Sequence, residues 1–209
     1  MVDKSNLILV GAGGHARSCV DVIEDEDRFQ IAGVVTDEQD DSVDKIFGYS
    51  KIGQDSDLLD LKGRYDFAFI VVGQIHSPNP RKLLFSKILS IGFKAPVIIS
   101  SRAYVSKRAK VGEGTIVMHG AVINSGVEIG RNCIINSMAL IEHDTTIGDH
   151  CHISTGVRLN GGINIGSDTF IASGAVVKHG VRIGSNCFIG MGSLVTQDLA
   201  DDTKFLAGH

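Results

Sequence analysis

An aliphatic residue stands at every sixth position from residue 105 to residue 195, and this period constrains the fold more than any other feature of the chain. The sixteen positions run in one register without a miss: Val105, Val111, Val117, Ile123, Ile129, Ile135, Ile141, Ile147, Ile153, Leu159, Ile165, Ile171, Val177, Ile183, Ile189 and Val195. An α-helix repeats every 3.6 residues and a β-strand every two, so neither requires a period of six. A hexapeptide period is typical of a parallel β-helix, in which short strands stack in successive coils.

A second period of eighteen residues contains the first. Gly112, Gly130, Gly148, Gly166 and Gly184 stand eighteen residues apart. Three hexads therefore form one coil with three short faces, and residues eighteen apart stack at about 4.8 Å, the spacing of hydrogen-bonded strands. The sixteen hexads predict roughly five coils, a prism about 25 Å tall. The period is expected to end after residue 195.

The third residue after each aliphatic position tolerates a positive φ angle. It is Gly, Asn, Asp or His in fourteen hexads, and only Arg108 and Met138 depart from this rule. These residue types adopt a left-handed backbone most readily, so each hexad is expected to end in a sharp corner. The next position is usually small. It includes Cys133, Cys151 and Cys187, which we interpret as small core residues rather than as a disulfide or metal site.

The residues before the prism are typical of a small parallel α/β domain. Strands are predicted at 7–10, 31–36 and 67–72, and helices from residue 14 to about 24, over 55–61 and over 80–91. A last strand near Val97 leads into the prism. The predicted organisation is therefore a half-Rossmann-like α/β domain over residues 1–97, with room for one nucleotide-sized ligand, and a β-helix over residues 98–209.

The first strand leads into a glycine turn, Gly11-Ala12-Gly13-Gly14-His15-Ala16, and then into a helix. Such a turn lets backbone N–H groups approach a phosphate, which the positive end of the helix also favours. Ligands bind at the carboxyl ends of parallel strands. Three short segments fall at that edge, and their candidate binding residues are Gly13, Gly14, His15, Asp37, Gly73 and Gln74.

The composition narrows the choice of partners. The formal net charge is −4 and there is no basic run, so nucleic acid is not expected as a partner. No apolar stretch approaches the roughly 18 residues that a membrane span needs, and the start does not have the pattern of a signal peptide. We expect a soluble, cytoplasmic protein that does not bind membranes.

Glu142-His143-Asp144 interrupts the repeat with three polar residues. His143 follows the inward-pointing Ile141 by two positions, so its side chain is expected to point outward near a corner. The next residue in its column is Gly161, which leaves space beside the imidazole. A histidine oriented by the carboxylate of Asp144 is a competent general base near neutral pH. A solvated histidine beside an ordinary corner residue is the alternative.

A zinc site is not expected. His143 and His179 stand 36 residues apart, a spacing similar to that of the three-histidine sites of γ-class carbonic anhydrases. The partner histidine of such a pair would fall five positions from His179, where this chain has Gly174 and Gly184. The pattern therefore indicates no metal.

The two-part layout resembles the sugar acetyltransferase family that includes the bacillosamine- and perosamine-pathway N-acetyltransferases and the sialic acid O-acetyltransferases. The resemblance covers nearly the whole chain and is most specific over residues 11–15 and 141–153. It implies a left-handed β-helix, acetyl-CoA as co-substrate and a nucleotide-sugar as acceptor. It also implies a homotrimer with the active site between subunits.

The resemblance also implies roles for single residues. The histidine matching His143 is the base, and the acidic residue matching Asp144 raises its basicity. The histidine matching His152 contacts the thioester. Positions matching Gly161, Ser173 and Met191 line the cofactor groove, and relatives often have glycine at the last of these. The positions that hold the nucleotide-sugar match Gly13, Gly14, His15, Asp37, Gly73 and Gln74.

We therefore expect N-acetylation of a nucleotide-linked 4-amino-4,6-dideoxy sugar, by direct attack of the amine on the thioester. Three alternatives stay open. The chain is instead a sialic acid O-acetyltransferase, a non-catalytic trimeric nucleotide-binding scaffold, or a nicotinamide-dependent oxidoreductase. The last rests on the glycine turn alone.

Overall fold

The computed structural model describes residues 4–37, 45–46 and 48–206 of the 209-residue chain. The chain divides into two compact units, Met1–Ile98 and Ile99–His209. Within the described residues, no helix combines the length and the apolar character that crossing a bilayer requires.

The N-terminal unit is built around a five-stranded sheet. Its elements are β1 (Ser5–Val10), α1 (Gly14–Glu26), β2 (Phe29–Val35), β3 (Lys45–Ile46), β4 (Tyr49–Gly53), α2 (Leu58–Lys62), β5 (Phe67–Ile70) and α3 (Asn79–Ile91), with a 3₁₀ turn at Asp55–Asp57 before α2. The strand order is β3-β4-β2-β1-β5, and all pairs are parallel except β3 with β4. The predicted α/β class is confirmed. β3 and β4 were not predicted, because their short sequences carry no apolar alternation.

Strand β1 lies at the centre of this unit. Its residues Leu7 to Val10 are fully buried, as expected for a central parallel strand covered on both faces. The chain leaves β1 through Gly11, whose φ is +108°. A Cβ on Gly11 would stand 2.5 Å from Val72 Cγ2, so only glycine fits where the turn passes the end of β5. The packing thus places the glycine turn beside the residues that follow β5.

The C-terminal unit is a parallel β-helix of two-residue strands. They are β6 (Ile98–Ile99), β7 (Tyr104–Val105), β8 (Lys110–Val111), β9 (Ile116–Val117), β10 (Val122–Ile123), β11 (Glu128–Ile129), β12 (Ile134–Ile135), β13 (Leu140–Ile141), β14 (Thr146–Ile147), β15 (His152–Ile153), β16 (Arg158–Leu159), β17 (Asn164–Ile165), β18 (Phe170–Ile171), β19 (Val176–Val177), β20 (Arg182–Ile183), β21 (Phe188–Ile189), β22 (Leu194–Val195) and β23 (Lys204–Phe205). Every third strand pairs in register, which gives three faces. We call them the first face (β6, β9, β12, β15, β18, β21, β23), the second face (β7, β10, β13, β16, β19, β22) and the third face (β8, β11, β14, β17, β20).

The aliphatic period forms the core of the prism, as predicted. Fourteen of the sixteen aliphatic residues are buried in one cluster, while Val105 and Val111, near the start of the prism, are only half-buried. The small-residue interpretation of the cysteines is also confirmed, because Cys133, Cys151 and Cys187 are free thiols buried in the core.

The corners follow the predicted left-handed backbone, with two differences. Met138 adopts φ +60° although its side chain is not one that favours this region. Asp198 is absent from the left-handed residues. Its carboxylate instead accepts a hydrogen bond from the backbone N–H of Arg182 at 2.8 Å, at the point where the period changes.

The prediction that the repeat ends after residue 195 is wrong. Leu199 pairs with Ile183 and β23 pairs with β21, so a further coil follows. This coil is two residues shorter than the others, since Asp201 Oδ1 accepts a hydrogen bond from the N–H of Ser185, sixteen positions earlier, at 2.7 Å. A two-residue deletion shifts every later residue out of the eighteen-residue register, which hides the coil from strict counting.

Candidate active site

His143 and Asp144 lie at the corner between the second and third faces. His143 Nδ1 stands 2.9 Å from Asp144 Oδ2. Asp144 has φ +58°, and this turn of the backbone brings the two neighbouring side chains to the same side. Both side chains are exposed, at 57% and 73% of their surface, so the pair faces outward from the prism.

Two glycines make room for this pair. A Cβ on Gly161, one coil after His143, would stand 2.6 Å from His143 Nε2 and 2.7 Å from Cε1. The imidazole therefore occupies the space that a side chain at position 161 would fill. Gly126, one coil before Asp144, does the same for the carboxylate, because its Cβ would overlap Asp144 Oδ1. We had not predicted a role for Gly126, although column counting places it directly beside Asp144.

The geometry suits proton abstraction. When Nδ1–H donates to the Asp144 carboxylate, the lone pair of the imidazole lies on Nε2. Nε2 is the ring atom nearest to the Cβ position of Gly161, and the side chain as a whole is 57% exposed. The ring of His179 lies on the same side, with its centroid 6.3 Å from that of His143. An exposed imidazole whose Nδ1 is held by a carboxylate is the arrangement of a general base.

His152 lies on the first face and is almost fully buried. Its Nε2 stands 3.2 Å from Asn136 Nδ2, and its ring meets that of Phe170 edge-on at 5.1 Å between centroids. These contacts hold the imidazole in one orientation. Asn136 and Phe170 had not been predicted as neighbours of the site.

Ser173 and Met191 lie at the corner between the first and second faces. Ser173 Oγ is 3.0 Å from Ser154 Oγ, and the Met191 side chain is 75% exposed. The structure therefore divides the predicted prism residues into two groups. His143, Asp144 and Gly161 lie at one edge of the second face. Ser173 and Met191 lie at its opposite edge, and His152 lies beyond that edge on the first face.

The N-terminal unit holds a separate cavity of about 530 Å³. Its walls are formed by Gly13, Gly14, His15, Val72, Gly73, Ile75, His76, Ser77 and Pro80. Four of the six predicted binding residues are among them. Asp37 and Gln74 are not: the Asp37 carboxylate accepts a hydrogen bond from the N–H of Asp55 at 2.9 Å, and Gln74 is buried.

Two helices begin at this cavity. Gly13 is the N-cap of α1, and Pro80 stands in the first turn of α3. Neither first turn contains an acidic residue, so the positive helix ends are left available to an anion. The wall from Ile75 to Pro80 was missed by our prediction. The sequence Ser77-Pro78-Asn79-Pro80 carried a signal for it, since proline at the first turn marks a helix start.

Models of known protein families match both units of the chain. The family model "PglD N-terminal domain" matches residues 6–88. The model "Bacterial transferase hexapeptide (six repeats)" matches residues 108–143, 126–161 and 162–197. A comparison with curated protein sequences finds no significant match.

Solved structures match almost the whole chain. PerB from Caulobacter crescentus, in complex with CoA and GDP-perosamine, is 30% identical with a TM-score of 0.86, over 96% of this chain and 92% of that one. A histidine-to-asparagine mutant of perosamine N-acetyltransferase from the same organism, with the same ligands, is 29% identical with a TM-score of 0.88 over the same shares of the two chains. The acetyltransferase domain of PglB from Neisseria gonorrhoeae FA1090, in complex with acetyl coenzyme A, is 27% identical with a TM-score of 0.88, over 96% and 95%.

These matches confirm the fold class, an α/β domain followed by a left-handed β-helix. They also confirm the resemblance that the glycine turn and the hexapeptide period indicated. The chain is an enzyme and belongs to the hexapeptide-repeat family of sugar acyltransferases.

Proposed function

We propose that this enzyme transfers the acetyl group of acetyl-CoA to the amine of a nucleotide-linked 4-amino-4,6-dideoxy sugar, with His143 as general base. One observation carries the proposal: Asp144 holds Nδ1 of His143, while Nε2 of this exposed side chain lies in the space that Gly161 leaves. The ligands of the relatives support the choice of substrates. PerB is in complex with CoA and GDP-perosamine, and the PglB domain is in complex with acetyl coenzyme A.

In this reaction Nε2 of His143 takes a proton from the sugar amine as its nitrogen attacks the thioester carbonyl. The tetrahedral intermediate then collapses, the C–S bond breaks, and the departing thiolate takes the proton from the imidazolium. Asp144 fixes the tautomer and offsets the charge that forms on the ring. His152 or a backbone N–H stabilises the oxyanion of the intermediate. No acyl-enzyme forms, and orientation of the two substrates supplies much of the rate.

The second face supports an assembly of several copies. Its outward side chains form a mainly apolar column: Tyr104, Val122, Leu140, Arg158, Val176 and Leu194. The third face carries a polar column instead: Lys110, Glu128, Thr146, Asn164 and Arg182. Tyr104 and Leu194 are more than half exposed, and a contiguous apolar patch on a protein surface marks an interaction site.

A ring of three copies with the second face turned inward also completes the site. Each second face has two edges, and rotation about a three-fold axis sets one edge of each copy beside the other edge of the next. His143 of one copy then lies beside the corner that carries Ser173 and Met191 of its neighbour. The proposed CoA groove runs between these two corners, in a homotrimer.

The test is an acetyl-CoA consumption assay across UDP-, GDP- and dTDP-linked amino sugars, with sialic acid as the O-acetylation arm. We expect turnover with one of the amino sugars. His143→Asn should lower kcat by about 10²–10⁴-fold. The matched control is His179→Asn, which changes an exposed histidine in the same column and should leave kcat within about twofold of wild type.

Other outcomes separate the alternatives. Wild-type turnover by His143→Asn would refute the role of the base, and turnover with sialic acid alone would assign O-acetylation. Calorimetry of the wild-type protein with CoA tests the scaffold alternative, which predicts no binding. The oxidoreductase alternative predicts that NAD competes with the nucleotide-sugar.

A further inference from the structure

Arg81 is a fully buried cation next to the N-terminal cavity, with 1% of its surface exposed. It stands in the first turn of α3, and its Nη1 donates hydrogen bonds to the carbonyl oxygens of Ile70 at 2.6 Å and Val72 at 3.0 Å. Burial raises the pKa of Cys19, a residue of α1, to about 12, and the positive charge of Arg81 acts against that rise. Arginine is almost never fully buried unless its charge is paired or hydrogen-bonded.

The two carbonyls lie on the side of β5 that faces away from β1. On that side the start of the strand forms an isolated bridge between Phe67 and Lys94, and Ile70 is the last residue of the strand. The next N–H, that of Val71, donates to Val10 at the end of β1 at 2.9 Å. Because the peptide bond between them is trans, the Ile70 carbonyl points the opposite way, to Arg81.

The same geometry applies one step further along the chain. The Val72 carbonyl points to Arg81, so the N–H of Gly73 in the same trans peptide points back to the side of β1. That side holds the glycine turn, since a Cβ on Gly73 would stand 3.2 Å from His15 Cβ. Gly73 lines the cavity, whereas Arg81 lies behind it.

We infer that Arg81 is a positioning residue for the nucleotide-sugar: by holding the Val72 carbonyl, it aims the Gly73 N–H at the diphosphate. The Gly73 N–H then joins the N–H groups at the start of α1 in one anion site formed from two elements. Arg81 does not touch the ligand. The inference rests on the proposed function, because it requires a nucleoside diphosphate in this cavity.

Arginine suits this role better than lysine. Its planar fork holds two carbonyls in a fixed arrangement, whereas an ammonium is a point charge on a flexible stem. With Arg81→Lys, the charge stays but the peptide that carries Gly73 is free to rotate. With Arg81→Gln, the charge is lost and the shorter side chain reaches at most one of the two carbonyls.

The test measures how much the diphosphate group contributes to the affinity for the nucleotide. UDP, GDP and dTDP are each titrated by calorimetry against wild type, and the tightest is compared with its nucleoside. In Arg81→Lys and Arg81→Gln, we expect the affinity advantage of the diphosphate over the nucleoside to fall by about tenfold or more. The Kd for CoA and the Kd for the nucleoside should stay within about twofold of wild type. A general loss of structure would instead weaken the binding of the nucleoside and of the diphosphate equally. The ratio of the two Kd values therefore distinguishes a positioning role of Arg81 from a role in folding.

Nuclear magnetic resonance gives a measurement that needs no variant. Labelling with carbonyl-¹³C valine and ¹⁵N glycine selects the three Val–Gly amides of the chain, those of Gly11, Gly73 and Gly112. We expect the Gly73 amide to move downfield on saturation with the diphosphate, while Gly112 in the prism stays in place.

The outcomes are distinct. A Gly73 amide that does not move at saturation overturns the inference, and so does an unchanged diphosphate-to-nucleoside ratio in folded Arg81→Lys. If wild type binds none of the three diphosphates, the substrate in the proposed function is wrong, and this inference falls with it.

Discussion

Replacing Gly161 by alanine adds one methyl group where the His143 ring lies. The new Cβ would stand 2.6 Å from Nε2 and 2.7 Å from Cε1. Non-bonded heavy atoms settle at about 3.5 Å or more, so the ring must move by about 0.9 Å. Because the ring is exposed, it can move without disturbing the core.

This displacement affects catalysis much more than folding. It takes Nδ1 away from Asp144 and Nε2 away from its working position, and a misplacement of about 1 Å costs about 10²-fold in rate. That loss corresponds to about 2.7 kcal/mol of transition-state stabilisation. The backbone of Gly161 lies outside the left-handed region, so alanine fits it without strain. The free energy of unfolding should change by less than about 1 kcal/mol.

The neighbouring glycine provides a matched control with the opposite expectation. Gly162 has φ +67°, so Gly162→Ala should lower the free energy of unfolding by about 1 kcal/mol. The nearest atom to its Cβ is Cε1 of His179 at 3.5 Å, an ordinary contact. The His143 ring is therefore left in place, and turnover should remain at the wild-type level.

Release of CoA thiol measures turnover, and urea titration measures stability. We expect opposite results for the two variants: Gly161→Ala loses activity and keeps stability, whereas Gly162→Ala keeps activity and loses stability. If folded Gly161→Ala turns over like wild type, the position of Nε2 above Gly161 is not the productive one, and the argument for His143 loses its main support.

Three further predictions, the last with a matched control variant, test separate parts of the structure. Asp144→Asn replaces the carboxylate with an amide that favours the wrong tautomer of the imidazole, so kcat should fall by about 10²-fold in the same thiol assay. Met138→Gly relieves a left-handed backbone at φ +60° and should raise the free energy of unfolding, measured by urea titration, by about 1 kcal/mol. Val176→Asp places a charge in the apolar column of the second face and should give monomers in light scattering, whereas Thr146→Asp on the third face should leave the assembly intact.

The prism could be predicted from the sequence because each coil repeats the geometry of the one before it, residue by residue. Inward positions such as Ile141 must be aliphatic, and corners such as Asp144 must tolerate positive φ, so both appear as regular columns. The same columns place Gly161 beside His143 on the basis of the sequence alone. The last coil was not predicted, because it is two residues shorter than the others and therefore departs from the eighteen-residue period.

The N-terminal cavity could be predicted only in part. The glycine turn is visible because a strand, a turn and a helix start follow one another in sequence. The wall from Ile75 to Pro80 is an irregular segment with no period, and it reaches the cavity only through the packing of α3. Arg81 was missed for a related reason. A cation in the first turn of a helix predicts a solvated side chain, and only the three-dimensional packing reveals two carbonyls beside it.

The division of the prism residues between two corners leads to a prediction about mixed assemblies. If the site lies between copies, its base comes from one chain and its CoA groove from the next. His143→Asn removes the base, and Ser173→Trp places a bulky ring at the exposed groove corner. Each variant alone should be inactive, because every interface lacks one half of the site.

Mixing the two variants should restore activity. After equal amounts are unfolded together and reassembled at random, about one interface in four joins an intact base to an intact groove. We therefore expect about a quarter of the wild-type turnover from the mixture. Reassembly of each variant alone is the control for recovery during refolding. If base and groove belonged to the same chain, every site in the mixture would carry one of the two changes, and no activity would return. If the mixture forms folded trimers that show no turnover, the site is not shared between two chains. This conclusion holds even if His143→Asn has already shown that the histidine is essential.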